Sequence, residues 1–152
     1  MSLIPIHFYG ETDDYYEFSN FSPYGFETEV GSWPTVEHYF QAQKFAGVEN
    51  SDYRERIRLA RRPEQAKELG QTREIPLRPD WNEAKDGVML YALRRKFERL
   101  ELREILLSTG SRLLFEKSDA DYYWGTGADG TGLNRMGSLL ARVRDELRRG
   151  AG

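Results

Sequence analysis

The chain has 152 residues, 39% of them hydrophobic and 31% charged, so it is long enough to bury a core of ordinary globular composition. It has no cysteine, which excludes disulfides, thiolate nucleophiles and cysteine-ligated metals, and its two histidines argue against a multi-histidine metal site. A net charge of −3 argues against a general nucleic-acid binder held by backbone phosphates. The start of the chain has neither a basic segment nor a long apolar run, so we expect no signal peptide, no membrane span and a cytoplasmic location.

Short strands are predicted in the first part of the chain. Residues 4–9 and 26–30 have the apolar and β-branched composition of strands, and Gly31-Ser32 is expected to close the second one in a turn. Between them, residues 15–23 form an irregular aromatic stretch that ends in a turn. A further apolar segment, residues 112–116, fits either a strand or a helix end.

Helices are predicted to dominate from residue 33 onward. Apolar spacing, caps and glycine stops predict helices from Thr35 towards Phe45, from Ser51 to about Arg61, from Pro63 to Gly70, from Asp80 through Phe97, from Leu102 to Leu107, and from about Asn134 to Arg149. The last helix is expected to bury Met136, Leu139, Leu140, Val143 and Leu147. The sequence therefore predicts one domain, residues 1–152, of the α+β class, mainly α-helical with a few short strands.

Charged and polar side chains share one face of the first predicted helix. Glu37 and Lys44 are seven residues apart, which places them about two turns apart on the same face, with Phe40 and Gln41 between them. In one interpretation Glu37 is a first-turn acid and Lys44 a solvated last-turn base. In the other, Glu37 is a carboxylate half-buried among aromatic rings, an environment that suits a general acid or base. The pattern alone leaves both interpretations open.

A glycine-rich segment, residues 118–132, contains the pattern G-x-G-x-x-G. We do not assign a dinucleotide-binding fold to it, because no apolar strand leads directly into it and too little chain follows for a βαβ unit. The glycines either serve positive-φ turns of the loop itself or allow a ligand to approach the backbone beside the helix that starts near Asn134.

Long motifs in the sequence resemble the YbiA-like, or NADAR, family. They follow one another in order along nearly the whole chain: residues 8–9, 18–21, 33–45, 80–81, 92–97, 121–127 and 130–140. The longest, W-P-T-V-E-H-Y-F-Q-A-Q-K-F, starts at Trp33 and includes both Glu37 and Lys44. The resemblance implies a mainly helical fold and cleavage of an N-glycosidic bond at C1 of a phosphate-bearing ribose.

The resemblance also implies which residues form the site. Glu37 matches the family's catalytic glutamate, Trp81 its pocket tryptophan, Asp121 its second acid and Lys44 the lysine of the longest motif, with Asp119 as a competing choice for the second acid. Two carboxylates beside the anomeric carbon suit an oxocarbenium-like transition state. We expect further substrate contacts from Asn20, Phe21, Trp124, Gly125 and Asn134, and neither a cofactor nor a metal.

Three functions follow from the resemblance. The first is hydrolysis of an early riboflavin-pathway intermediate, a phosphorylated ribosylamine, to ribose 5-phosphate and the base. The second is removal of ADP-ribose from guanine in nucleic acid, for which we expect a basic rim formed by Arg54, Arg58, Arg61 and Arg62. The third is binding of ADP-ribose or a nucleotide without catalysis, and the presence of both Glu37 and Asp121 argues against it.

Overall fold

The computed structural model describes residues 4–150. The first three residues, which belong to the segment where no signal peptide is expected, and the last two residues lie outside this range. The α-helices in this range are α1 (Val36–Ala42), α2 (Ser51–Arg58), α3 (Pro63–Gly70), α4 (Trp81–Lys96), α5 (Leu100–Ser108) and α6 (Arg135–Gly150). The strands are β1 (Ile6–Phe8), β2 (Phe26–Thr28), β3 (Gly31–Trp33) and β4 (Leu114–Glu116). The predicted α+β class with mainly helical content is confirmed. In the described part of the chain, no helix has the length and apolar character that spanning a membrane requires.

Backbone contacts divide the chain into two units. The first unit contains the residues up to Ser19 together with those from Leu93 onward, and the second contains residues from Asn20 to Ala92. The long helix α4 therefore starts in the second unit and ends in the first. The assignment of the whole chain to one domain stays a prediction.

The first unit is built around β1 and β4, which pair in parallel with Ile6 opposite Leu114. The rings of Phe8 and Phe18 meet edge to face at 5.7 Å between centroids, and Phe18 lies 6.0 Å from Phe97. All three phenylalanines are completely buried, so their rings form the apolar centre of this unit.

Helix α6 buries most of its predicted apolar stripe, namely Met136, Leu139, Leu140 and Val143. The prediction is wrong for Leu147, which is only partly buried, and Arg144 is buried instead. The Arg144 guanidinium donates to the hydroxyl of Thr109 at 2.8 Å and to the carbonyl of Arg112 at 3.0 Å. The segment between α5 and β4 thus offers polar acceptors to α6, and these compensate part of the cost of burying the cation, whose Nε atom has no partner among residues 4–150.

The second unit begins with a hairpin that the sequence predicted only in part. Strands β2 and β3 pair antiparallel, with Phe26 opposite Trp33. The turn lies at Glu29 and Val30, whereas it was predicted at Gly31-Ser32, which is part of β3. Gly31 follows this two-residue turn directly and has a φ of 131°, which glycine adopts easily. The chain can therefore reverse before Gly31, earlier than predicted.

Thr35 is the N-cap of α1, as predicted. Its hydroxyl oxygen accepts the backbone N–H of His38 at 3.1 Å, and it lies 2.8 Å from the Nδ1 atom of the same histidine. The Nε2 atom of His38 lies 3.0 Å from the carbonyl of Ala60, which can only accept, so Nε2 carries the proton. Burial lowers the pKa of His38 and keeps the ring neutral, so His38 joins the start of α1 to the end of α2.

The predicted helices α3 and α4 are confirmed, whereas α2 differs at both ends. Ser51 is the first helical residue and Asn50 occupies the cap position, and the helix ends at Arg58, three residues earlier than predicted. Arg62 is extended (φ −139°, ψ 152°), as the residue before a proline is expected to be, so the chain leaves the helical conformation before α3 begins at Pro63.

Lys96, at the end of α4, is only 1% exposed. Its ammonium group donates to the carbonyl of Ser19 at 3.0 Å and lies 5.5 Å from the centre of the Phe97 ring. Burial lowers the pKa of Lys96 to about 7, against the opposing influence of the Glu17 charge. At neutral pH the protein therefore holds a lysine that is close to half neutral.

We expect the stability of the protein to rise between pH 7 and pH 9. The unfolded chain keeps Lys96 protonated up to an ordinary lysine pKa, whereas the folded chain loses the proton near pH 7, so the unfolded state binds more protons in this window. The gain in unfolding free energy is about 2 kcal/mol. Urea denaturation of the wild type and of Lys96→Met measures it. The gain is expected to disappear in Lys96→Met and to persist in Lys117→Met, an exposed control; equal stability of the wild type at both pH values would contradict the assignment.

Candidate active site

The face of α1 that carries Glu37 is buried in the second unit. Glu37 is 7% exposed and Gln41, one turn later, is 5% exposed. The side-chain amide of Gln41 donates to Oε2 of Glu37 at 2.7 Å, and the backbone N–H of Glu37 donates to the carbonyl of Asn20 at 3.1 Å. Glu37 is therefore an acid in the first turn of α1, as the first interpretation expects, but its carboxylate is buried and has a close donor.

Lys44, just after α1, reaches towards the end of α3. It is half-buried, and its ammonium group donates to the carbonyl of Gly70 at 3.4 Å. Burial is the largest cause of a lowered pKa of Lys44; the Glu37 charge opposes it, and the Lys67 charge lowers it further. One carboxylate and two ammonium groups thus interact in the same region, which leaves a positive balance for an anionic ligand.

Aromatic rings flank these charged groups. The indole of Trp81, the first residue of α4, lies 5.1 Å from the ring of Phe40 with an angle of 55° between the planes, and Trp81 is only 7% exposed. The ammonium group of Lys67 lies 6.0 Å from the centre of the Phe21 ring. The backbone N–H of Arg78 donates to the carbonyl of Lys44 at 2.8 Å, which ties the segment before Trp81 to the end of α1.

The second unit contains five of the predicted site residues, namely Asn20, Phe21, Glu37, Lys44 and Trp81. Sequence reasoning did not single out Gln41, Lys67 or Gly70 as site residues. The four-residue spacing of Glu37 and Gln41 on a helix was sufficient to suggest their hydrogen bond. No comparable pattern pointed to Lys67 and Gly70, because they belong to a different short helix and become neighbours of α1 only through packing.

Asp121, the predicted second acid, lies in the first unit. Its Oδ1 atom accepts the backbone N–H groups of Tyr123 at 2.9 Å and Trp124 at 2.8 Å, so it stabilises a turn at the start of the glycine-rich loop. Asp121 is half-buried, whereas the competing Asp119 is exposed. Trp124 packs edge to face on Tyr123 at 4.9 Å. The role of Asp121 in the reaction stays a prediction.

Gly125 and Asn134 hold the glycine-rich loop in its own fold. A Cβ atom on Gly125 would lie 2.8 Å from the carbonyl oxygen of Glu116, so glycine is needed for that close approach. The amide of Asn134 donates to the carbonyl of Leu114 at 2.8 Å and accepts the N–H of Glu116 at 3.0 Å. These contacts favour the interpretation in which the loop glycines serve internal turns, and the expected substrate contacts of both residues stay predictions.

Two of the four arginines of the expected basic rim are engaged within the protein. Arg54 donates to the carbonyls of Phe45 and Gly47, and Arg58 pairs with Glu55. Arg61 and Arg62 are exposed.

Histidine and carboxylate side chains are scattered over residues 4–150, where no three of them lie close enough together to hold a metal ion.

Comparison with known proteins shows a match over most of the chain. The NADAR domain family matches residues 7–148. The N-glycosidase YbiA of Escherichia coli is 46% identical over 143 residues, which cover 93% of this chain and 88% of the relative. The NMR structure of the E. coli protein YbiA matches with a TM-score of 0.89 and 44% identity, covering 99% of this chain and 89% of that one.

Two further relatives come from a cyanobacterium and a plant, Nostoc punctiforme and Zea mays. An N-glycosidase of Nostoc punctiforme is 44% identical over 144 residues, covering 94% of this chain and 92% of the relative. The chloroplastic riboflavin biosynthesis protein PYRR of Zea mays is 42% identical over 155 residues, covering 93% of this chain but only 25% of the maize protein. Since the family match extends over nearly all of the chain, the protein belongs to the NADAR family.

Proposed function

We propose that this protein is an N-glycosidase that cleaves the bond between a base nitrogen and C1 of a phosphorylated ribosylamine, an early intermediate of riboflavin biosynthesis. The observation that carries the proposal is the buried carboxylate of Glu37, which is held by Gln41 and interacts with the charge of Lys44. The names of the relatives, N-glycosidase and riboflavin biosynthesis protein, support the reaction and the substrate class. The products are ribose 5-phosphate and the free base.

In the proposed reaction Glu37 acts on the water that attacks C1. The C1–N bond breaks as positive charge develops on the sugar, and the carboxylate stabilises that charge. Glu37 accepts a proton from the water as the C1–O bond forms, and this proton is then passed on to the leaving nitrogen, so that one water is divided between C1 and the base. Asp121 is the proposed second acid, and Trp81 and Trp124 are the proposed surfaces for the base or sugar.

Lys44 has two possible roles in this proposal. As a cation beside Lys67 it binds the 5′-phosphate of the substrate. As a neutral amine it attacks C1 of the ring-opened ribosylamine, forms a Schiff base and expels the base nitrogen, after which water hydrolyses the adduct. Burial and the charge of Lys67 lower the pKa of Lys44, which is the direction that the second role requires.

The reaction on ADP-ribosylated guanine in nucleic acid has weaker support. Arg54 and Arg58 already bind groups of the protein, which leaves Arg61 and Arg62 of the expected basic rim. This alternative, a non-catalytic ADP-ribose module and a cytoplasmic location all stay predictions.

Replacing Glu37 by Gln tests the central role of the carboxylate. The substitution keeps the size of the side chain and removes its charge, so we expect kcat to fall by roughly a hundredfold or more. Release of ribose 5-phosphate from the ribosylamine substrate measures turnover. Glu49→Gln, at an exposed glutamate outside the site, is the matched control and is expected to leave turnover unchanged. Near wild-type turnover of Glu37→Gln would refute the proposal.

Borohydride trapping distinguishes the two roles of Lys44. If Lys44 forms a Schiff base, reduction during turnover leaves a stable sugar adduct on this lysine, which peptide mass spectrometry locates. Lys44→Arg, which keeps the charge but is not a usable amine, is then expected to lose at least about a hundredfold in kcat. Absence of an adduct together with full activity of Lys44→Arg would exclude the covalent role.

Replacing Lys67 by Met tests the charge balance of the site. Removal of a like charge raises the pKa of Lys44, so a reaction that uses the neutral amine shifts to higher pH. Loss of one cation also raises KM for the phosphorylated substrate, by roughly three- to tenfold. The pH dependence of kcat/KM measures both effects, with Lys117→Met as the control. An unchanged profile and KM would show that Lys67 takes no part.

A further inference from the structure

The side-chain amide of Gln41 occupies a confined space between α1 and α3. Its nitrogen donates to Glu37, while its oxygen, Oε1, is buried and has no hydrogen-bond partner among residues 4–150. A buried acceptor without a partner costs free energy, so this orientation needs a compensating interaction. The compensation is the bond to Glu37: rotating the amide by half a turn would bring its oxygen against the carboxylate, where two acceptors repel.

Gly70 makes this arrangement of Gln41 sterically possible. A Cβ atom on Gly70 would lie 1.9 Å from Oε1 and 2.7 Å from Cδ of Gln41, far inside van der Waals contact. Gly70 is the last residue of α3, in a helical conformation that alanine would favour more strongly. Space for the Gln41 amide, rather than an unusual backbone conformation, therefore explains the glycine.

The same glycine also contacts the second functional side chain. Its carbonyl accepts the ammonium group of Lys44 at 3.4 Å. Gly70 thus lies against the amide that holds Glu37, and its carbonyl accepts a hydrogen bond from the amine of Lys44. This one residue of α3 therefore helps to position both the Glu37 carboxylate and the Lys44 amine.

We infer that Gln41 is a positioning residue of this N-glycosidase, that it fixes the Glu37 carboxylate for attack on C1, and that the absence of a side chain at Gly70 keeps it in place. The inference rests on the proposed function and adds to it a residue that reaches the reaction only through Glu37. Since Gln41 has no contact with the substrate in this role, its loss affects turnover and not binding.

Gln41→Met is the first variant, because methionine has a similar length and no amide donor. We expect kcat to fall roughly ten- to hundredfold, while KM changes by less than about threefold. We also expect the acidic limb of the pH–kcat profile to move to higher pH, because a donor that favours the charged carboxylate is lost. A purely structural role of Gln41 would not move this limb. Gln43→Met, at the C-cap residue of α1 and beside Tyr39 and Arg54 rather than Glu37, is the matched control and is expected to keep the wild-type kcat and profile.

Gly70→Ala tests the link between the two helices. The added methyl displaces the Gln41 amide, so we expect a fall in kcat comparable to that of Gln41→Met and a lower melting temperature. In a Gln41→Gly background, which removes Oε1, Cδ and also the Cβ atom that would lie 2.9 Å from the added methyl, we expect Gly70→Ala to change kcat by less than about twofold. Gly87→Ala is the control, because a Cβ atom at this α4 glycine would have no neighbour within 4 Å.

The outcomes separate the inference from the proposed function. A wild-type protein without N-glycosidase activity, or a fully active Glu37→Gln, overturns the proposed function and the positioning role with it. An active wild type in which Gln41→Met keeps kcat and pH profile overturns the positioning role alone. Equal effects of Gly70→Ala with and without the Gln41 amide overturn the role of Gly70. If Gly70→Ala does not fold, Gln41→Met alone decides the positioning role.

Discussion

A buried carboxylate must have hydrogen-bond donors close to it, and for Glu37 that need is met within α1, on the side of the helix that packs against α3. The donor comes from Gln41, one turn along the same helix, and α3 has a glycine, Gly70, where its backbone meets the Gln41 side chain. Lys44 is bound to that glycine's carbonyl. The chemistry assigned to this unit therefore depends on one tight helix crossing, and any change that widens or fills it acts on carboxylate and amine together.

The sequence predicted those features that depend on local chemistry. The Thr35 cap, the bounds of α3 and the start of α4 follow from capping, proline and glycine preferences, and the structure agrees with all of them. Features set by distant neighbours were not predictable. Arg144 is buried in place of Leu147 because carbonyl and hydroxyl acceptors outside α6 face it, and no pattern within α6 reveals them. For the same reason the motif around Glu37 identified the carboxylate, whereas Lys67 and Gly70 had no distinguishing sequence feature.

The glycine-rich loop shows how one pattern supports two interpretations until the contacts are known. Its glycines admit close approaches by the protein's own carbonyls, and both the nitrogen and the oxygen of the Asn134 amide bind the backbone of β4. One carboxylate oxygen of Asp121 likewise accepts two backbone hydrogen bonds in the turn that starts the loop. Because so many internal hydrogen bonds hold the loop, its remaining polar atoms have fixed positions. Catalytic groups need such fixed positions relative to the reacting atoms.

The buried ammonium group of Lys96 has a consequence for calorimetry. At pH 8 the folded chain carries this side chain mainly as a neutral amine, so unfolding takes a proton from the buffer when the lysine reaches water. The heat of unfolding measured at that pH then contains the ionisation heat of the buffer. The ionisation enthalpy of an amine buffer is much larger than that of phosphate, so the protein is expected to show a different unfolding enthalpy in each buffer. Dividing this difference by the difference between the two ionisation enthalpies gives the number of protons taken up on unfolding.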